Sequence, residues 1–346
     1  MQNKLVNYTA GLLLVILIGQ LLIVGRGIVI PMVIALLIWH LLNALLFGIR
    51  AIPKVGKYLP DWIVGLLATV IVVALFSILG NIIENNVSDV IQASARYQAS
   101  LLALFNKMDA HFHFKGWFNV ESVLDNISFQ TLALNIYAMF SSLMSSAVLI
   151  LLYVAFLFVE QHFFTQKLQS LFPQKTHLDL VNQILSKIIK DTERYLSLKT
   201  FVGLLTAVPS YFIMQAVGLD FAAFWALLIF LLNYIPNIGS IIATIFPAFL
   251  ALLQFEAWWP FTVITVGILV VQFIVGSIIE PKLMGRSLNV SPLVILIALA
   301  LWGSIWGILG MFLAVPITVI MMIVFAHFET TQPIAVLLSQ DGNIER

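Results

Sequence analysis

The stretch Asn233-Tyr-Ile-Pro-Asn-Ile-Gly-Ser240 interrupts an apolar run that extends from Phe221 to Phe255. Pro236 lacks a backbone N–H group and disfavours helix at the residue before it, while Gly239 permits non-helical dihedral angles. Irregular backbone at membrane depth must be satisfied by protein or by water in a cavity. The pattern therefore predicts two apolar helical arms joined by a polar bend, either as two membrane crossings or as a re-entrant hairpin.

A second interruption lies in the apolar run from Leu288 to Phe325. Its break is Trp302-Gly-Ser-Ile-Trp-Gly307, with Gly310 and Pro316 beyond it. Each arm is close to or shorter than the roughly 20 residues that a membrane crossing needs. Paired, interrupted hydrophobic segments are the best sequence pointer to the substrate site of a transporter. The two breaks do not align residue by residue, so they suggest an internal repeat by pattern only.

The composition of the whole chain agrees with a bilayer environment. Of its 346 residues 61% are hydrophobic and 10% are charged, whereas an average soluble domain has about 25% charged residues. Helices are predicted at 8–25, 28–49, 62–83, 137–160, 199–217, 221–235, 238–255, 257–279, 288–304 and 306–327. The predicted fold class is all-α: a polytopic membrane protein with about 8 transmembrane helices plus broken or re-entrant helical hairpins.

Two polar stretches divide the chain into regions. The predicted regions are N-terminal transmembrane helices (1–83), an external polar helical domain (84–136), a transmembrane helix (137–160), a cytoplasmic amphipathic region (161–198), a C-terminal transport region with broken helices (199–330) and a cytoplasmic tail (331–346). In the amphipathic region Ile184 and Ile188 share one helical face, and Lys190 and Arg194 share the other. Such a helix lies in the membrane interface or against the protein's own cytoplasmic side.

The distribution of Lys and Arg predicts the orientation of the chain. Cytoplasmic loops carry an excess of these residues. The loop after the second predicted helix contains Arg50, Lys54 and Lys57, and the stretch 161–199 contains six basic residues, whereas 84–135 has three bases and five acids. We therefore expect a multi-pass protein whose N- and C-termini are both cytoplasmic.

The polar bend and the polar end of the following segment form the candidate substrate or ion pathway. It consists of Asn233, Tyr234, Pro236, Asn237, Gly239, Ser240, Gln272, Glu280, Lys282 and Arg286. Pro236 and Gly239 shape the kink, and Lys282 and Arg286 neutralise Glu280 or gate the inner mouth. The structural alternative is a simple turn, in which Asn, Pro, Gly and Ser are favoured anyway. Glu280 is then an interfacial carboxylate paired with its own basic neighbours.

His40, inside the second predicted helix, is a candidate proton relay because an intramembrane ionisable residue is a functional hypothesis by default. It also lies near the cytoplasmic end of that helix, within reach of headgroups. The motifs of nucleotide-binding and hydrolytic enzymes are absent from the sequence. We predict no enzymatic activity, no cofactor, no metal site and no nucleic-acid partner, and a lipid bilayer and a small-molecule or ion substrate as partners.

Three stretches resemble the signature sequences of a known family. They are Leu232-Asn-Tyr-Ile-Pro-Asn-Ile-Gly-Ser240, Glu280-Pro-Lys-Leu-Met-Gly-Arg286, and Trp302-Gly continuing to Gly310-Met-Phe-Leu-Ala-Val-Pro316. They resemble the autoinducer-2 exporter family, and the likeness runs the full length, including Tyr195-Leu-Ser-Leu-Lys-Thr200. The resemblance implies a homo-oligomeric protein of the bacterial inner membrane. One branch of that family is associated with export of the quorum-sensing signal autoinducer-2, and others with sodium/proton antiport.

The sequence leaves three functions open. The first is a secondary transporter that exports a small polar solute, autoinducer-2 by resemblance. The second is a sodium/proton antiporter that uses Glu280 as a titrating group, with His40 as the candidate proton relay. The third is a non-transporting membrane scaffold that recruits partners through 84–135 and 161–199, in which the protein's own side chains should fill the polar break.

Overall fold

The computed structural model describes residues 2–51, 145–236, 238–255, 257–284 and 289–344, together with isolated positions and short runs between 63 and 142. Its helices are α1 (Gln2–Val24), α2 (Arg26–Ala51), α3 (Ala147–Leu171), α4 (Lys175–Val217), α5 (Ala222–Leu232), α6 (Ile238–Gln254), α7 (Trp258–Gln272), α8 (Glu280–Met284), α9 (Pro292–Trp306), α10 (Ile308–Ala326) and α11 (Gln332–Leu338). A π-helix, Phe273–Ile279, joins α7 to α8. In the described part of the chain the only β-pairing is an isolated bridge between Val290 and Ser339. The predicted all-α class is confirmed.

Five of the described helical segments are long and apolar enough to cross a membrane. They are Arg26–Asn43, Ala147–Leu171, Lys175–Val217, Trp258–Leu283 and Ile308–Ala326. The shorter apolar helices are Thr9–Val24, Ala222–Leu232, Ile238–Gln254 and Pro292–Trp306. These lengths agree with a polytopic protein that combines full spans with short helical arms.

One predicted boundary disappears in the structure. The helix predicted at 199–217 and the amphipathic helix before it form a single 43-residue helix, α4. The connecting stretch Tyr195-Leu-Ser-Leu-Lys-Thr200 contains neither Gly nor Pro, so nothing in its backbone chemistry ends the helix. The predicted helix at 62–83 falls largely outside the described residues, and the described positions within it are helical.

The chain divides into two compact units. The first unit comprises Met1–Ala68, Ser146–Ser197 and Met284–Arg346. In it α9 and α10 form an antiparallel pair, α10 packs on α11, and α2 packs on α3. Its core contains Tyr195, Val290, Val315, Val319, Met322, Ile323, Ala326 and Ala335. Ile184 and Ile188 pack against this core, so the apolar face of the amphipathic segment is covered by protein.

The second unit comprises Thr69–Ser145 and Leu198–Leu283. Here α5 packs on α6, and α6 packs on α7. Its core contains Met214, Leu219, Ile229, Leu250, Ala251, Ile264 and Ile268, together with Tyr97 and Leu101 from the predicted external domain. This unit contains the polar bend and all the described candidate pathway residues.

Candidate substrate site

The bend between α5 and α6 forms because the helical hydrogen-bond pattern cannot continue through it. Asn233 is the last residue in helical conformation, and two short turns follow, in which Tyr234 N–H donates to the Leu231 carbonyl at 3.3 Å and Ile235 N–H to the Leu232 carbonyl at 2.9 Å. Pro236 has no N–H to donate. At 11 residues, α5 extends about 16 Å, roughly half of a hydrocarbon core of about 30 Å. The α5–α6 pair is a helical hairpin with one arm much shorter than a full span, and we call it the first hairpin.

Gly239 allows the two arms of the first hairpin to approach each other. A Cβ atom at this position would lie 1.7 Å from the carbonyl oxygen of Leu232 and 2.6 Å from its carbonyl carbon. Any side chain would push the second arm away from the first, since backbone atoms cannot give way as a flexible side chain can. The predicted role of Gly239 in shaping the kink thus has a direct steric basis.

A buried ion pair lies beside the bend. Lys199 Nζ lies 2.5 Å from Glu280 Oε1 and donates to the backbone carbonyl of Asn233 at 3.3 Å. The Lys199 side chain is 5% exposed and that of Glu280 is 20% exposed. Two opposite charges inside an apolar helix bundle are retained only when they are paired, because each is costly to leave without a counter-ion. The three elements α4, the bend and α8 meet at this ammonium group.

Lys199 was missed as a site residue by the sequence reasoning, which counted it among the six bases of the stretch 161–199. The structure instead buries it, with 4% of the residue exposed. The available signal was its position: it is followed by a helical stretch, Thr200 to Val217, that contains no charged residue. The partner of Glu280 in the structure is accordingly Lys199 of a distant helix. Lys282 is exposed, and Arg286 lies outside the described residues.

The π-helix sets the direction of Glu280. The backbone N–H of Glu280 donates to the carbonyl of Val275, five residues earlier, instead of four as in an α-helix. A π-helix takes more residues per turn, so it changes the side from which the following side chains project. Short π-helical segments within α-helices occur frequently at functional sites. The pair Gly276-Ser277 within this segment is an available sequence signal, since helix irregularities occur at Gly/Ser pairs.

Tyr234 and Thr200 fasten the bend to α4. Their hydroxyl oxygens are 2.6 Å apart, and Tyr234 is 6% exposed. The ring of Phe230 lies edge-on to that of Tyr234, with centroids 5.8 Å apart. Lys199 and Thr200 are consecutive in α4, and they contact Asn233 and Tyr234, which are consecutive in the bend. These two contacts fix the position of the bend against α4.

Two predicted pathway residues present buried donor atoms. The side-chain nitrogens of Asn233 and Gln272 are shielded from solvent and have no hydrogen-bond partner among the described residues. A buried polar group left without a partner costs about 1–3 kcal/mol. Such groups are explained most simply as groups that bind a ligand or water.

The other predicted pathway residues have separate surroundings. Ser240 accepts a hydrogen bond from Thr244 through its backbone carbonyl at 3.0 Å. Asn237 lies outside the described residues. His40 belongs to the first unit, where its Nε2 atom is 3.6 Å from Glu193 Oε1. The structure thus brings Asn233, Tyr234 and Glu280 together through α4.

A second polar cluster lies at the other end of the first hairpin. Asp220 accepts hydrogen bonds from the Tyr97 hydroxyl at 2.7 Å and from Arg96 at 2.5 Å. Gln254, at the end of α6, accepts from Asp220 N–H at 2.7 Å and donates to the Gly218 carbonyl at 2.8 Å. Burial, followed by the hydrogen bond to Asp220, raises the pKa of the Tyr97 phenol. The cluster ties the predicted external domain to the helices of the second unit.

Long apolar helices, a broken helical hairpin and a partly buried ion pair at its bend define an integral membrane protein of the transporter class. Residues 11–330 match the family described as AI-2E family transporter. The chain belongs to this family, and it is a multi-pass protein of the bacterial inner membrane.

Curated relatives cover the whole chain. It is 31% identical to the AI-2 transport protein TqsA of Escherichia coli over 341 residues, which cover 95% of this chain and 96% of that protein. It is 28% identical to a putative transport protein of Haemophilus influenzae over 100% of this chain and 99% of that protein. A shorter match, 36% identical over 154 residues, joins 44% of the chain to 44% of the putative transport protein YhhT of Escherichia coli.

Proposed function

We propose that the protein is a secondary transporter that exports a small polar solute, and that this solute is autoinducer-2. The observation that carries the proposal is the buried pair of Lys199 and Glu280 at the polar bend of the first hairpin. The name of the relative TqsA supports the choice of solute. In this proposal Asn233, Tyr234, Asn237, Ser240, Gln272 and Glu280 line the pathway, Pro236 and Gly239 shape it, and Lys282 and Arg286 act at its inner mouth.

Transport by the purified protein in liposomes tests the proposal. Vesicles loaded with autoinducer-2 should lose it faster than protein-free vesicles, and imposed sodium or proton gradients should show which ion, if any, drives the flux. The double variant Lys199→Gln/Glu280→Gln is the control, because it replaces both charged side chains of the ion pair with uncharged ones. Equal loss from vesicles with protein and without it would contradict the choice of solute.

Sodium/proton antiport is the second candidate function. It is favoured by one observation, a partly buried carboxylate at Glu280 beside the first hairpin, since such a group is a typical proton or cation site. His40 remains a candidate relay in this alternative. Proton release from vesicles on addition of sodium, abolished in Glu280→Gln, would support antiport. Sodium-independent flux of autoinducer-2 would support the first candidate instead.

We also propose that the chain forms homo-oligomers and has cytoplasmic termini. The orientation rests on the basic residues of the loops, and it is tested by labelling single cysteines. The chain contains no cysteine, so introduced thiols report without background. Cysteines at Lys54 and Lys190 should react only from the cytoplasm, and one at His113 only from outside.

A further inference from the structure

The groups at the bend of the first hairpin include more hydrogen-bond donors than the protein's own acceptors use. Lys199 carries three N–H donors, and its contacts include the Glu280 carboxylate and the Asn233 carbonyl. The amide nitrogen of Asn233 is a further buried donor without a partner among the described residues. A site of this kind suits a ligand that supplies acceptor oxygens.

The two members of the ion pair are held differently. Lys199 lies within the 43-residue helix α4, and its side chain is 5% exposed. Glu280 begins the five-residue helix α8, directly after the π-helix, and its side chain is 20% exposed. The ammonium group is thus the fixed partner. The carboxylate is the partner that can leave, because a π-helix can return to α-helical register and turn the residues after it.

We propose that Lys199 binds an oxyanionic group of the transported solute, and that this group exchanges with the Glu280 carboxylate. The inference rests on the proposed function, since it treats the bend as the solute site. A carboxylate, phosphate or similar oxyanion offers the same charge-assisted hydrogen bonds to an ammonium group as Glu280 does. Glu280 therefore occupies the place of the ligand when the solute is absent.

A metal-cation ligand fits the same geometry less well. A cation would have to displace an ammonium group that is covalently attached to the protein and 2.5 Å from Glu280. It would also need several oxygen ligands, whereas the Glu280 carboxylate and the Asn233 carbonyl at this bend are already bonded to Lys199. The site therefore selects for negative charge.

Chemical rescue of Glu280→Ala tests the exchange without assuming any natural solute. Truncation removes the carboxylate and leaves space beside Lys199, so added acetate should occupy it and raise the melting temperature of the purified variant by about 2–4 °C. Acetamide, which has the same shape and no charge, should leave the melting temperature unchanged. The parent protein and Lys199→Gln/Glu280→Ala should not respond to acetate. No acetate effect on a folded Glu280→Ala would overturn the exchange.

A second variant covers the case in which Glu280→Ala does not fold. Glu280→Gln keeps the side-chain volume and removes the competing charge, so it should bind inorganic phosphate about tenfold more tightly than the parent, while Lys199→Gln should lose binding. A purely structural ion pair predicts the contrary for binding: both single variants lose affinity in proportion to the loss of folded protein, and the double variant recovers it.

The two levels of the proposal fail separately. Acetate rescue of Glu280→Ala in a protein that does not transport autoinducer-2 would keep the oxyanion site and reject the named solute. Transport of autoinducer-2 without acetate rescue, and without tighter binding by Glu280→Gln, would keep the function and reject the exchange at Lys199.

Discussion

The described part of the chain contains two apolar helical hairpins, one in each unit. In both, a glycine allows the two arms to approach closely where the chain reverses. In the first hairpin a Cβ at Gly239 would lie 1.7 Å from the Leu232 carbonyl oxygen. In the second, formed by α9 and α10, a Cβ at Gly310 would lie 1.8 Å from the Trp302 carbonyl oxygen. In each case a glycine early in the second arm contacts the backbone near the end of the first arm. Close approach of two backbones is what both reversals require.

The two bends differ in what they carry. Five residues, Asn233 to Asn237, separate α5 from α6, whereas Gly307 alone, with φ of 64°, separates α9 from α10. The first bend contacts Lys199 and Thr200 through polar groups. At the second bend the contact between the arms is apolar, since Gly303 of α9 lies against the Met311 side chain of α10. Since the second hairpin reverses the chain without a polar cluster among its described residues, reversal does not explain the polar residues of the first.

The largest loss of stability is expected from breaking the Lys199–Glu280 ion pair, which contacts the bend of the first hairpin. Lys199→Met leaves the Glu280 carboxylate without its partner and should lower the free energy of unfolding by about 3–5 kcal/mol. Lys199→Met/Glu280→Met removes both charges and should recover most of that loss. Thermal unfolding in detergent measures both. A single variant as stable as the parent would show that Glu280 has another partner.

The shared glycine device predicts matched losses in the two hairpins. Gly239→Ala and Gly310→Ala should each lower the free energy of unfolding by about 1–3 kcal/mol or more, because the new Cβ overlaps a carbonyl oxygen. Gly19→Ala is the control, since nothing lies within 4 Å of its added Cβ and alanine favours helix. If one hairpin tolerated alanine and the other did not, the two reversals would not be equivalent.

Polar substitutions should separate the hairpins by function. Asn233→Ala removes a side-chain nitrogen that has no partner among the described residues, so it should change the melting temperature little and strongly reduce solute flux. Ser304→Ala in the second hairpin removes only a hydroxyl that donates to the Leu301 carbonyl of its own helix at 2.7 Å, and flux should persist. Flux and melting temperature are measured on the same preparations. Loss of stability in Asn233→Ala, with flux proportional to folded protein, would make the bend architectural.

The smallest effect is expected at the far end of the first hairpin. Tyr97→Phe removes one hydrogen bond to Asp220 and should cost about 1 kcal/mol. The raised pKa of Tyr97 also means that its stabilisation is fully present below a pH of about 10. Above that pH the Tyr97 phenol ionises in the unfolded chain before it ionises in the folded protein. The parent should therefore lose stability as pH rises, and Tyr97→Phe should not lose this contribution. If the parent and Tyr97→Phe lost stability equally as pH rises above about 10, this contribution would be contradicted.

Several elements of the fold were predicted because their signals are local. Apolar length and the break at Pro236 predicted α5 and α6 within a few residues of their observed ends. The continuity of α4 was missed because composition changes in its middle, although helical backbone geometry has no reason to stop there. The π-helix was missed because the same apolar residues suit either helical register. Helix α11 lies in the region that was predicted only as a tail.

The candidate site was likewise predicted in part and missed in part. Asn233, Tyr234 and Glu280 were predicted from polarity inside or beside apolar runs, and the structure brings them to one place. Lys199 was counted among the cytoplasmic bases of the stretch 161–199 because a lysine at the start of an apolar run resembles an interfacial base. Its burial depends on Glu280, which lies 81 residues further along the chain. A pairing at that separation leaves no trace in a single sequence.

The sequence by itself determined that the chain lies in a lipid bilayer, that its fold is all-α, and where its polar bend lies. These follow from hydrophobic length, from the missing N–H of Pro236 and from the small size of glycine, all of which act within a few residues. Only the tertiary structure decided that Lys199 neutralises Glu280, that a π-helix aims Glu280, and that Gly239 lies against Leu232. Each of these depends on the distance between two segments, and that distance is set by packing rather than by the residues of either segment alone.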